Sequence, residues 1–127
     1  MKFSYQFFRG AYYPIVPVEI VNGSKNIATS AVVDSGAFFS VFSGSAGREL
    51  GLDVEKGEKR IFQAASAKLV GYIHEVVLVV AGEEIICKVA FSDELSTSFN
   101  LLGRYDVFKN FMICFDESEK SVEFTPK

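Results

Sequence analysis

Along much of the chain apolar and polar residues alternate with a period of two, the pattern of strands that bury one face. Tyr13 to Val21 alternates around Pro14 and Pro17, and Asn22-Gly23 is a strong turn signal, so a hairpin is predicted to return through Ile27 to Val33. Arg60 to Ala64 and Leu69 to Val80 read as two more strands, joined by the small residues Ala65, Ser66 and Ala67. Gly82 then turns the chain into Glu83 to Phe91. Met112 to Phe115 and Ser121 to Phe124 are predicted closing strands about the polar turn Asp116 to Lys120. Two short helices interrupt the pattern. Ser43 to Leu50 can be capped by Ser43 or Ser45 and stopped by Gly51, and Arg104 to Asn110 sets Val107 and Phe111 four apart on one face.

Composition narrows the picture to a globular domain. The chain has 127 residues, enough for one domain with a real core, and 49% are hydrophobic, with 13 Phe and no Trp. Residues 1–127 are therefore read as a single domain, with 1–13 as an aromatic N-terminal extension. A formal charge of −3 without a basic run argues against nucleic acid as a partner. The longest apolar run, Val76 to Ala81, is far too short for a membrane span, and the start lacks a signal-peptide core, so a cytoplasmic location without membrane contact is expected. Cys87 and Cys114 lack zinc-site spacing; both are expected as buried free thiols, with a disulfide between them left open. No metal or cofactor is expected. His74 reads as a strand histidine, since no Ser or Cys nucleophile motif accompanies it.

The segment that points to chemistry is Asp34-Ser35-Gly36-Ala37. It follows the apolar strand end Ala31-Val32-Val33, which would display a carboxylate. Ser35 supplies a hydroxyl for hydrogen bonding, and Gly36 allows backbone to approach a substrate where a side chain would block it. Alone the triplet is a weak signal, and a turn residue capping its own backbone is the bland alternative.

With its neighbours the segment resembles a known family. Asp34-Ser35-Gly36-Ala37 is similar to the Asp-(Thr/Ser)-Gly-Ala signature of the retropepsin-like aspartic peptidases, the single-domain form of the pepsin fold. Phe99-Asn100-Leu101-Leu102-Gly103-Arg104 resembles that family's second signature, in the expected order. The resemblance covers roughly Pro14 to Phe124 and implies an all-β, closed acid-protease barrel with one or two short helices. It implies catalytic roles for Asp34, Ser35 and Gly36, and a flap hairpin over residues 60–80 with its tip at Ala64 to Ala67. Ala37, Phe38, Ala65, Ser66 and Ala67 would bind substrate. Among Asp34, Asp53, Asp93, Asp106 and Asp116 only Asp34 precedes Ser-Gly or Thr-Gly, so the chain holds half a site and a homodimer is required. The implied function is an aspartic endopeptidase acting on peptide or protein substrates.

The chain also departs from the pattern. Viral members usually carry an acid after the Ala that pairs with the Arg of the second signature; here Phe38 and Phe39 stand there, leaving Asp106 as the alternative partner of Arg104. The flap tip has no glycine, Gly71 being the nearest. The extension at 1–13 either covers a dimer interface or closes the core. Two rival functions are a catalytically silent peptide-binding dimer of the same fold and a monomeric small-ligand barrel.

Overall fold

The computed structural model describes residues 1–64, 67–95 and 99–127. The chain begins with β1 (Lys2–Ser4), then a small hairpin of β2 (Gln6–Phe8) and β3 (Ala11–Tyr13). The long hairpin of β4 (Ile15–Asn22) and β5 (Lys25–Val33) follows, then β6 (Val41–Ser43) and the only described α-helix, α1 (Gly44–Glu49). A second long hairpin comes next, β7 (Glu58–Ala64) and β8 (Ala67–Val80), and β9 (Glu83–Ser92) returns beside it. The short β10 (Asn100–Leu102) precedes the closing pair β11 (Phe111–Asp116) and β12 (Ser121–Pro126).

Seven strands form one sheet in the order β4-β5-β10-β6-β9-β8-β7, and β4 also pairs with β8, so the sheet curls back on itself. Most neighbours are antiparallel, but β10 runs parallel to β5 and β6 parallel to β9. A second sheet, β1-β12-β11, packs Val122, Phe124 and Phe111 into the same core. The fold is mostly β, in accord with the expected acid-protease class.

Alternation explains the packing. In β9, Ile85, Cys87 and Val89 point inward while Glu84, Ile86 and Lys88 point out. In β4, Val16, Val18 and Ile20 are buried and Pro17 faces solvent. The β8–β9 turn is made by Ala81 and Gly82 at φ of 49° and 81°, the paired left-handed conformation that two-residue hairpin turns require. A smaller cluster of Phe39, Val41, Leu69, Ile73 and Ala90 lies apart from the main core, with Phe62, Leu95 and Tyr105 packed on it.

Two expectations are corrected, the second helix and the burial of Cys114, and two are met or decided, His74 and the N-terminal extension. Instead of a helix over Arg104 to Asn110, only a 3-10 turn at Phe108–Asn110 forms. Asp106 sits at φ 63°, which breaks α-geometry, and its carboxylate accepts the main-chain N–H of Lys88. Val107 and Phe111 are nevertheless both buried. Cys114 is exposed, because alternation along β11 turns it to the outer face; Cys87 is buried and both thiols are free. The extension contributes to the core: β1 pairs with β12, Phe3 meets Phe124 edge-on at 5.9 Å, and Tyr5 is buried. His74 is a satisfied strand histidine, its Nε2 lying 2.8 Å from Val54 O.

Candidate active site

Asp34 stands one residue beyond β5, where the strand hands over to a tight loop. Its position is fixed from β10. The parallel register sets Leu102 beside Val33, and the Asp34 N–H donates to Leu102 O at 3.0 Å. The loop then turns on the acid itself. Gly36 N–H donates to Asp34 Oδ1 at 2.9 Å, and Ala37 N–H donates to Asp34 O at 3.2 Å. One carboxylate oxygen is thus oriented by main chain, with Asp34 half-buried and Ser35 and Gly36 exposed.

The second segment is threaded through the first. Arg104 N–H donates to Ala37 O at 3.0 Å and Tyr105 N–H to Phe38 O at 2.7 Å. Just before them in the chain, Gly103 N–H donates to Oγ of the fully buried Ser40 at 2.9 Å. The two backbones come so close that a Cβ on Gly103 would lie 2.5 Å from the carbonyl carbon and oxygen of Phe39, so only glycine fits. Asn100 ties the base of the loop together: its Oδ1 accepts from Ser43 N–H at 3.1 Å, and its Nδ2 donates to Thr29 Oγ1 and Ser30 O. Asn100 stands inside the second signature with no role assigned to it by the sequence, and Ser40 carries no signature at all. A small polar residue inside an apolar stretch was the available signal.

Beside this loop runs a groove of about 360 Å³, bounded by Gly36 to Phe39 on one side and Arg60 to Gln63 of β7 on the other. Ala37, Phe38, Phe39, Phe62, Leu69 and Leu101 line it. The rings of Phe38, Phe39 and Tyr105 form a contiguous aromatic wall with centroids 4.9 to 5.2 Å apart, and Arg60 lies over Phe39 at 5.5 Å. Phe39, Phe62, Leu69 and Arg60 are groove residues that the sequence pattern did not mark as such. Ala37 and Phe38 are brought to the groove beside Asp34; Ala65 and Ser66 lie outside the described residues, as does the side chain of Ala67.

Arg104 meets no carboxylate among the described residues. Its expected alternative, Asp106, is engaged by Lys109 at 3.5 Å and by Lys88 N–H, and Arg104 instead lies over the Phe38 ring at 5.6 Å. The aromatic residue that replaces an acid has become a cation–π platform. A second concavity of similar size, near Ser43, Ser92 and Asn100, contains Asp93, but both oxygens of that carboxylate are taken by Arg48 at 2.8 and 2.9 Å. It therefore offers no free acid, and the groove that starts at Gly36, beside Asp34 in the chain, is the better candidate. Among the described residues no group of three or more His, Cys, Asp or Glu is placed to hold a metal, and no helix is long and apolar enough to cross a membrane.

A family model described as aspartyl protease matches residues 16–104, a span running from β4 through the Asp34 loop to Arg104. No curated protein matches the chain.

Proposed function

This chain belongs to the aspartyl protease family, of the retropepsin-like type, and on that premise we propose that it is an endopeptidase in which two copies of the chain each contribute Asp34 to one site. The observation that carries the reading is the Asp34 loop itself: a carboxylate oriented by Gly36 N–H, on a residue whose own N–H is anchored to Leu102 O, with an apolar groove of about 360 Å³ starting at Gly36.

The chemistry explains the need for two copies. Hydrolysis by paired carboxylates needs one ionised group to take a proton from water and one neutral group to hydrogen-bond the scissile carbonyl. One Asp cannot hold both states at once. Two carboxylates about 4 Å apart repel by roughly 4 kcal/mol at an effective dielectric near 20, or about three pKa units, so they share a single proton. The proton belongs to the pair rather than to either residue. Water activated by the ionised Asp34 attacks the carbonyl while its counterpart donates, giving a tetrahedral diol that collapses with protonation of the amine. No acyl-enzyme forms and no metal or cofactor enters these steps. Phe38, Phe39 and Phe62 favour apolar or aromatic substrate side chains beside the scissile bond, and the β7–β8 hairpin acts as the flap.

The test is a peptide-library digest comparing the parent protein with Asp34→Asn. Cleavage is expected to fall below detection in the variant, with circular dichroism and sedimentation unchanged; retained cleavage rules the mechanism out. One observation favours a second reading, a silent peptide-binding dimer: Arg104 stacks on Phe38 where a carboxylate would brace the site. A folded parent dimer that binds library peptides and cleaves none of them would establish that reading instead.

A further inference from the structure

Part of the β7–β8 hairpin runs on without a second strand neighbour. β8 pairs with β9 from Val80 back to Tyr72, whose partner is Phe91; from Gly71 to Ala67 it pairs, among the described residues, with β7 alone. One residue of this arm is nevertheless held by the end of β9. Val70 N–H donates to Glu94 Oε1 at 3.2 Å, and Val70 O accepts from Ser92 Oγ at 2.5 Å. The Ser92 hydroxyl in turn accepts from Glu94 N–H at 3.0 Å. Two side chains thus do at Val70 what a neighbouring strand does with main chain, and both main-chain groups of Val70 are satisfied.

The stretch that supplies these side chains is itself anchored. Ser92 is buried and stands beside Ser43 in the parallel register of β9 and β6. Asp93, between the two, is held by α1 instead. Its Oδ1 and Oδ2 accept from Arg48 Nη1 and Nη2 at 2.8 and 2.9 Å, a two-pronged geometry that fixes direction as well as distance. Arg48 also donates to Glu55 Oε1 at 2.8 Å, and a Cβ on Gly44 would collide with Asp93 Oδ1, so the carboxylate lies tight against the start of the helix. Exposed ion pairs of this kind add little stability. A fixed direction for residues 92–94 is what they do supply.

Val70 follows Leu69, which lines the groove and stands opposite Phe62, another groove residue, in the β7–β8 ladder. Whatever fixes Val70 therefore fixes how far Leu69 and Phe62 stand from Phe38 and Phe39 across the groove. We propose that Ser92 and Glu94 are positioning residues for peptide binding, a latch that holds the β7–β8 arm at the spacing an extended apolar peptide needs. Neither lines the groove; both act through Val70 on Leu69 and Phe62. The benefit to catalysis rests on reading this hairpin as the flap over Asp34, whereas the latch itself does not.

Glu94→Ala and Glu94→Gln separate a latch from a merely structural residue. Glu94 is exposed, so both variants are expected to fold as the parent does. In Glu94→Ala the Val70 amide loses its acceptor, and its hydrogen exchange, read by amide NMR without substrate, should quicken about fivefold or more. Glutamine keeps an acceptor oxygen, so Glu94→Gln should return the exchange to within about twofold of the parent. With an apolar peptide substrate, KM should rise about threefold or more in Glu94→Ala while kcat stays within about twofold, and Glu94→Gln should restore KM. A Val70 amide as protected in Glu94→Ala as in the parent, an unchanged KM, or a Glu94→Gln variant that behaves like Glu94→Ala overturns the proposal. The two readings fail separately. Faster Val70 exchange combined with cleavage that survives Asp34→Asn refutes the catalytic reading alone, whereas unchanged exchange with Asp34-dependent cleavage intact refutes the latch alone.

Discussion

Replacing Gly103 by alanine tests how the site is held. The added Cβ would lie 2.5 Å from the carbonyl carbon and oxygen of Phe39 and 2.9 Å from Ser40 N, against ordinary contact that begins near 3.4 Å. The obstructing atoms are main chain, and that main chain is pinned: Ser40 O accepts from Ala90 N–H at 2.9 Å and Ala37 O from Arg104 N–H at 3.0 Å. Relief therefore needs roughly a 1 Å separation of the two segments, costing about 1–3 kcal/mol for overpacking. Breaking the Gly103 N–H to Ser40 Oγ bond inside the core adds about 1 kcal/mol, for a total of about 2–4 kcal/mol. With an unfolding entropy of about 2.1 cal/mol/K per residue over 127 residues, each kcal/mol is worth about 4 °C, so Tm should fall by roughly 8–15 °C in a calorimetric scan at fixed protein concentration. Peptidase activity at a temperature where the variant is still folded should fall as well, because the same movement displaces Leu102 O from Asp34 N–H. A Tm within 2 °C of the parent refutes the close-approach reasoning.

Two further outcomes follow from the groove and from the ion pairs. Phe38→Ala should shift stability by no more than about 1 kcal/mol, since the ring is 51% exposed and its cation–π contact with Arg104 is a surface one. The same variant should raise KM several-fold in steady-state assays with aromatic peptides; an unchanged KM would mean that the aromatic wall does not touch substrate. The hydrogen bond from Arg48 holds the Asp93 carboxyl below the usual carboxylate range. A depressed carboxyl gives stability that is present above the unfolded value near 3.9 and is lost as pH falls through the lower folded value. Asp93→Asn should therefore flatten the acid limb of a Tm-against-pH profile below about pH 4, and an acid limb as steep as the parent's would show that the pair contributes nothing.

What could be read from the sequence was what local physics dictates. Asn22-Gly23 announced a hairpin whose loop is Gly23 and Ser24, and Ser43 does cap α1, accepting from Ala46 N–H. The family signatures led to Asp34 and to Leu102-Gly103, which the main-chain bonds bring together. The failures share a cause in distant partners. β10 is three residues long, too short to show a period, and exists because Ala31 to Val33 offer a parallel neighbour far away in sequence. Arg104 to Asn110 has helical spacing, yet Lys88 N–H claims the Asp106 carboxylate and the turn opens. Cys114 looks buried in an apolar run until β12 fixes which face of β11 is inside. Ser40 is invisible because its function is to meet one N–H from Gly103.

The Asp34 N–H depends on an acceptor that is made only when the chain has been extended to Leu102. Ladders between such distant segments close slowly and late, because the intervening loop must be ordered first. A growing polypeptide that stops short of Leu102 has no acceptor for the Asp34 N–H, whatever local bond Gly36 makes to the carboxylate. The setting of the Asp34 carboxylate is therefore completed only after the second segment has been made.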